Sequence, residues 1–337
     1  MPFERVSVIG DGAMATACAL LLDSRGVEVT LWGPFIDNII EMTRQRENKR
    51  YLPDIPLPES LNLTADPDEA IDGAQLLVSA IPTQYKRKVW QNFADRVAGD
   101  VPIMSVAKGI EQETNLLPTR IIRHVLGQDD RPIAALSGPS IAGELARCLP
   151  ATVCIASPDD QLARDLQATF TTHWFRVYTN RDLLGVELAG ATKNVIALAA
   201  GIIDGLQAGY NAKSALLSRG LVEIARLGQA MGARPETFFG VTGVGDLATT
   251  CFCPEGRNRS AGEMLGRGRS LDDVLEAISG IVEGVPTTRG VMKLAAEHEV
   301  DMPITAAVHA VLFEGLDPIE GISQLMSREP KSEDAAG

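Results

Sequence analysis

Histidine is scarce in this chain. Its four copies among 337 residues, His124, His173, His298 and His309, share no spacing that would build a metal cluster. Cysteine is equally thin: Cys18, Cys148, Cys154, Cys251 and Cys253 are scattered and odd in number. Cys251-x-Cys253 has no second pair, so a zinc ribbon is not expected, and reduced thiols in a cytoplasmic protein suit the pattern better than a disulfide framework. No apolar run reaches the roughly 18 residues of a membrane span. The longest, residues 195–203, is closed off by Lys193 and Asp204. Residues 1–8 lack the basic-then-apolar layout of a secretory signal. Excess positive charge is missing as well, since 31 Lys and Arg face 44 Asp and Glu for a net charge of -13. That balance excludes nonspecific binding to nucleic acid, which needs a basic stripe. It leaves room for a small anion, which needs only a few local cations and free backbone donors. No internal repeat or low-complexity linker is present, and the glycine–serine context of Ser140 is not a nucleophile elbow.

What remains is ordinary globular material, 45% apolar and 22% charged, with a length suited to two domains. The chain opens on a β-branched run, 5–9, followed at once by Gly10-Asp-Gly-Ala-Met-Ala15. Helical sequence continues to about residue 24, and 27–32 supplies another strand. Strand, glycine turn, helix and strand form a βαβ unit. In it Gly10 allows the tight turn, Gly12 the close approach of a pyrophosphate, and Ala15 the close packing of the helix. Backbone N–H groups at the helix start, from Ala13 and Met14 onward, then face the negative charge. This predicts a nicotinamide dinucleotide site, with NAD or NADP left open. The second strand ends in Trp32-Gly33-Pro34-Phe35, with neither the acidic residue typical of NAD sites nor an Arg suited to NADP. Asp37 is nearby, and Arg44, Arg46 and Arg50 follow. For each of these the alternatives are phosphate recognition and a solvated charged face.

Further strands are expected at 76–80, 103–107, 133–136 and 152–156, mostly separated by helical sequence. The fold class is therefore α/β, a Rossmann-like domain with a mostly parallel sheet over residues 1–182. From residue 183 the pattern is helical: 183–207, 211–231 with Asn211 as a candidate cap, 272–281, 289–298, 305–313 and 318–326. This predicts an all-helical substrate and catalytic domain over 183–330 and a flexible polar tail over 331–337. The apolar helices of that second domain suit either a homodimer surface or a domain core.

Polar residues that interrupt these patterns are the site candidates. Lys108 follows an apolar strand and precedes a glycine, at the carboxyl end where ligands bind in open sheets. Gly138-Pro-Ser140 repeats the strand-then-glycine layout ahead of a helix start near Ala142; Ser140 is either a ligand group or an ordinary N-cap. Lys193 sits in an otherwise small and apolar helix. If it faces the core, burial lowers its pKa toward neutrality, which suits acid/base work; the alternative is a helix-surface lysine. Asp246, in the glycine-dense stretch 240–250, is placed to orient Lys193. Arg257 offers a planar donor for phosphate with Asn258 beside it, and Glu283 follows in Val-Glu-Gly.

In this order, Lys108-Gly-Ile-Glu111, Gly138-Pro-Ser140, Lys193-Asn194, Gly245-Asp-Leu247, Arg257-Asn258 and Glu283 resemble the bacterial-type NAD(P)-dependent glycerol-3-phosphate dehydrogenases. The resemblance implies interconversion of sn-glycerol 3-phosphate and dihydroxyacetone phosphate, supplying glycerophosphate for phospholipids in the cytoplasm. It implies Lys193 as proton acceptor and donor, oriented by Asp246, with Lys108 polarising the substrate oxygen. It assigns Gly138, Ser140, Asp246, Arg257 and Asn258, with Lys108, to a small phosphorylated substrate. To the cofactor it assigns Gly10, Gly12, Ala13, Met14, Ala15, Lys108, Ala142, Arg257 and Glu283. The chain departs from the family where Ala13-Met14 stand for Ser-Trp, Pro34 for an Arg, and Gly256 for a Ser. The competing readings are a hydroxyacid or sugar-acid dehydrogenase of the same plan and a non-catalytic dinucleotide-binding homologue.

Overall fold

In a computed structural model, which describes residues 1–278, 280–330 and 332, the backbone separates into two compact units. The tail expected at 331–337 lies outside the described residues except for Ser332. The first unit takes residues 1–107 and 118–183, and the second takes 108–117 together with the chain from Leu184 onward. This differs from a single boundary at 182/183, because the ten residues beginning with Lys108 fold with the helices. Their reason is hydrophobic: Ile110 is fully buried and Leu117 nearly so, both within the core of the helical unit.

The first unit is built on ten strands: β1 (Arg5–Ile9), β2 (Glu28–Trp32), β3 (Glu47–Asn48), β4 (Leu52–Pro56), β5 (Asn62–Thr64), β6 (Leu76–Ser79), β7 (Ile103–Ser105), β8 (Ile133–Ser137), β9 (Ala151–Ala156) and β10 (Phe175–Asn180). Eight of them form one sheet in the order β10-β9-β8-β7-β6-β1-β2-β5. Every neighbouring pair is parallel except β8 and β9. Strands β6, β7 and β8 are buried along their whole length, which is why they read as continuous apolar runs rather than alternating ones. The β3–β4 hairpin and the short edge strand β5 carry too few apolar residues to be legible in the sequence. In register, Ile9 lies beside Trp32 on one side and Ser79 on the other. The chain order reverses at β1, so loops leaving β1, β2 and β6 open a crevice at their carboxyl ends, the usual place for a ligand in such sheets.

The second unit is helical around Leu183–Gly205, where every residue from Gly185 to Ile203 is buried. That helix is long and apolar enough to cross a membrane, yet its most apolar window is entirely inside the protein, as expected of a core helix. It crosses Arg257–Gly266 with backbone against backbone. A Cβ on Gly262 would strike the carbonyl of Leu198, and one on Gly201 the carbonyl of Arg259. The following helix begins at Gly209 with Ala208 at its N-cap and no side-chain capping bond, so the expected Asn211 cap is corrected. Gln207 and Gly209, at φ +56° and +89°, turn the chain so sharply that the new helix starts two residues earlier. Gly284–Glu297, Pro303–Phe313 and Pro318–Met326 complete the core.

Candidate active site

Three charged residues from distant parts of the sequence meet in the helical unit. Lys108 donates from Nζ to Asp246 Oδ2 at 2.7 Å, and Lys193 donates to Asp246 Oδ1. Lys193 also donates to Thr250 Oγ1 at 2.6 Å, and that hydroxyl donates in turn to the Asp246 carbonyl at 2.7 Å. One carboxylate thus holds two ammonium groups. Its position follows from the local chain: a π-helical turn, Val241–Gly245, runs directly into the helix Asp246–Phe252. Gly243 lacks the side chain that would keep that turn from closing against the Phe238 backbone. Asp246 consequently stands in the first turn of its helix, where the backbone dipole favours an anion.

The electrostatics follow from burial. Lys193 is 6% exposed and Asp246 1%. Burial pulls the Lys193 ammonium down to a pKa of about 8; Asp246 acts against that shift and Lys108 reinforces it. Burial works to raise the Asp246 carboxyl, but the two neighbouring ammonium groups overcome it and leave the carboxyl below its ordinary value. The core-facing alternative for Lys193 is therefore the one realised, and the helix-surface alternative is excluded.

A chain of amide contacts links the other motifs of this unit. Asn194 Nδ2 donates to the Lys108 carbonyl at 3.2 Å, and Asn258 Nδ2 donates to Asn194 Oδ1 at 3.0 Å. Asn258 Oδ1 accepts from the Gly284 backbone N–H at 2.9 Å, beside Glu283, which occupies the residue before Gly284–Glu297. Asn258 is thus as much a bracket between helices as a donor to a ligand. Arg257 heads its helix, is exposed, and makes no ion pair among the described residues. Its guanidinium lies against Gly280, where a Cβ would come within 2.9 Å of Nη1.

The first unit carries the glycine turn. Gly10 adopts φ +130°, and any Cβ there would lie 2.9 Å from the Ala80 carbonyl oxygen, so the position admits only glycine without strain. Gly12 is the extended N-cap of Ala13–Asp23; no side chain caps that helix, and a Cβ on Gly12 would meet nothing within 4 Å. The helix start is therefore open to a ligand and its first-turn N–H groups, on Ala13, Met14 and Ala15, are not taken up by a side-chain cap. That is what a pyrophosphate requires. Ala15 is fully buried against the sheet. Gly138 repeats the Gly10 conformation at φ +130° after β8, and Ser140 Oγ donates to the Gly138 carbonyl at 2.9 Å. The N-cap of Ala142–Ala146 is Ile141, so the N-cap alternative for Ser140 is corrected: its hydroxyl closes the preceding turn instead.

Some participants had no usable signal in the sequence. Asn48 is fully buried and donates to both the Asp11 carbonyl and Thr16 Oγ1 at 2.8 Å, tying the glycine turn to its helix from 32 residues away or more. Asn38 donates to Asp11 Oδ2 at 2.8 Å. Thr250 was findable, because four residues along a helix from Asp246 is one turn.

Comparisons with known proteins identify the family. Residues 5–163 match the family described as NAD-dependent glycerol-3-phosphate dehydrogenase N-terminus, and residues 182–323 match its C-terminus. A glycerol-3-phosphate dehydrogenase (NAD(P)+) of Geobacillus kaustophilus is 46% identical over 98% of this chain and 96% of its own length. One from Listeria monocytogenes is 43% identical over 99% of both. The crystal structure of glycerol-3-phosphate dehydrogenase from Coxiella burnetii superposes with a TM-score of 0.93 at 36% identity, covering 97% of this chain and 100% of that one. With both halves matched and relatives aligned almost end to end, the chain belongs to the NAD-dependent glycerol-3-phosphate dehydrogenase family and is an oxidoreductase.

Proposed function

We propose that this protein interconverts sn-glycerol 3-phosphate and dihydroxyacetone phosphate, and that Lys193 moves the proton. The observation that carries the assignment is the buried carboxylate of Asp246 shared by Lys193 and Lys108. A bound nicotinamide dinucleotide supplies or receives the hydride. In oxidation, neutral Lys193 takes the proton from the substrate hydroxyl as the C–H pair leaves as hydride. In reduction, its ammonium returns that proton to the oxygen on which negative charge develops. A pKa near 8 places both protonation states within reach at neutral pH, as a two-way acid and base requires. Lys108 stabilises the developing oxyanion by its charge, and Asp246 fixes both ammonium groups. Arg257 binds the substrate phosphate: a free, planar guanidinium suits a phosphate dianion and gives no advantage for an uncharged triose. Asn258 adds a donor to the substrate surface of the helical unit; Gly138 and Ser140, in the first unit, are assigned to substrate by the family resemblance alone. The glycine turn from Gly10 to Ala15 takes the pyrophosphate, and Ala142 and Glu283 are assigned to the cofactor by the family resemblance alone. The setting we propose is cytoplasmic supply of glycerophosphate for phospholipids.

Steady-state turnover with dihydroxyacetone phosphate, beside a panel of 2-oxoacids, tests the substrate. Activity confined to an oxoacid overturns it. Replacing Lys193 by Ala tests the proton role, with an expected loss of about 10²- to 10⁴-fold in turnover, the usual size of a lost general acid/base. Dinucleotide binding persists in that protein because the glycine turn is untouched. Turnover equal to the parent's removes Lys193 from the mechanism.

A further inference from the structure

We propose that Arg50 reads the 2'-phosphate of NADP(H), replacing the strand-end cation that this chain lacks; the inference rests on the dinucleotide reading of the glycine turn. Three arginines follow β2, and the fold separates them. Arg46 is committed to its own loop, donating to the carbonyls of Pro58 and Leu61 and pairing with Glu59 at 3.6 Å. Arg44 lies in the last turn of the helix Ile36–Gln45, beside a groove formed with Ile36, Ile40 and Leu63. Arg50 lies against the aromatic residue that follows β2. Its guanidinium carbon stands 5.3 Å from the centre of the Phe35 ring and 5.1 Å from that of Tyr51. Phe35 is the third residue past β2.

Arg50 is exposed and has neither a hydrogen bond nor an ion pair among the described residues. Both aromatic rings lie within cation–π reach of the guanidinium. A guanidinium confined by two rings and bonded to no acceptor is an anion receptor, because less freedom is lost when a phosphate arrives. The negative side of the choice is built in as well. An acidic side chain at the strand end selects NAD by bonding the ribose hydroxyls and repelling a 2'-phosphate. At Gly33, just past β2, a Cβ would lie 2.7 Å from the Asp11 Cβ and 2.8 Å from the Ile39 Cδ1, so no such side chain fits there. Asp11, which lies against Gly33, is turned inward: it is 6% exposed and accepts from Asn38.

The test measures binding of 2',5'-ADP and 5'-AMP to the full chain and to Arg50→Ala, by calorimetry in low-chloride buffer. These probes differ in the single phosphate at issue. The parent is expected to prefer 2',5'-ADP, and Arg50→Ala to lose that preference by roughly tenfold to a hundredfold, the scale of a charge-assisted contact. Arg50→Lys retains the charge but not the planar fork of donors, so part of the preference returns. If both probes bind the parent equally, or if Arg50→Ala leaves the ratio unchanged, Arg50 is not the selector. If neither probe nor any intact dinucleotide binds the parent, the reading of the glycine turn itself has failed, and the inference with it.

Discussion

Removing the charge of Asp246 while keeping its shape isolates what that carboxylate does for Lys193. In Asp246→Asn both ammonium groups lose their shared counter-ion, and the repulsion between Lys108 and Lys193 remains. Two unit charges about 4 Å apart interact by about 4 kcal/mol at an effective dielectric of 20. At 1.36 kcal/mol per pKa unit that sets an upper limit of about three units, and shifts from a single charged neighbour are commonly about 1–3. The shift is downward, because the lost interaction favoured the protonated form. Starting from about 8 in the parent, the Lys193 ammonium is expected to titrate below pH 7 in Asp246→Asn. The sign carries through to kinetics. Oxidation needs neutral Lys193, so kcat/KM for glycerol 3-phosphate rises through about pH 8 in the parent, and its midpoint moves to lower pH in the variant. Reduction needs the ammonium, so its rate begins to fall at correspondingly lower pH. Because the substitution also loosens both lysines, turnover falls; a titration of 13C-labelled lysine side chains supplies the midpoint independently of rate. A midpoint that stays at its parental value or moves upward refutes this account of Lys193.

Other expectations follow from the same geometry. Arg257→Ala lowers kcat/KM for dihydroxyacetone phosphate by roughly tenfold to a hundredfold, the equivalent of about 1.5–3 kcal/mol for a charge-assisted contact. Its discrimination against unphosphorylated dihydroxyacetone narrows in step; unaltered discrimination would place the phosphate elsewhere. Gly262→Ala forces a methyl into the Leu198 carbonyl at the helix crossing. Overpacking of this kind costs about 1–3 kcal/mol. A calorimetric scan is expected to show the transition lowered by several degrees, and an unchanged transition would mean that the two helices do not approach as closely as described.

The sequence alone determined the features that depend on short-range chemistry. The βαβ unit was legible because Gly10 and Gly12 are demanded by one turn, between strands whose β-branched residues define them locally. The apolar runs of β6, β7 and β8 and the long helix Leu183–Gly205 were legible as elements too, because continuous apolar sequence needs no alternation to declare itself, but whether that helix faced a core or a partner copy was not. The long helix even announced its odd residue: a lysine among small apolar neighbours. Ordered motifs pointed to the family on the same basis, each a local pattern in a fixed sequence.

Tertiary structure decided everything that depends on which distant residues meet. Lys108 and Asp246 are 138 positions apart, and only the fold puts them on one carboxylate with Lys193 and gives that lysine its lowered pKa. The ten residues beginning with Lys108 join the helical unit because Ile110 is buried there, a preference that residue identity alone does not express. Asn48 supports the glycine turn through contacts that leave no local trace. The same holds for the arginines after β2. In the sequence Arg44, Arg46 and Arg50 are equivalent charges on a polar stretch. In the fold one is spent on loop carbonyls, one lies along a helix, and one lies within cation–π reach of two rings, Phe35 and Tyr51. Identity and spacing fix what a side chain is able to do; long-range packing fixes its desolvation and its partners, and so what it does.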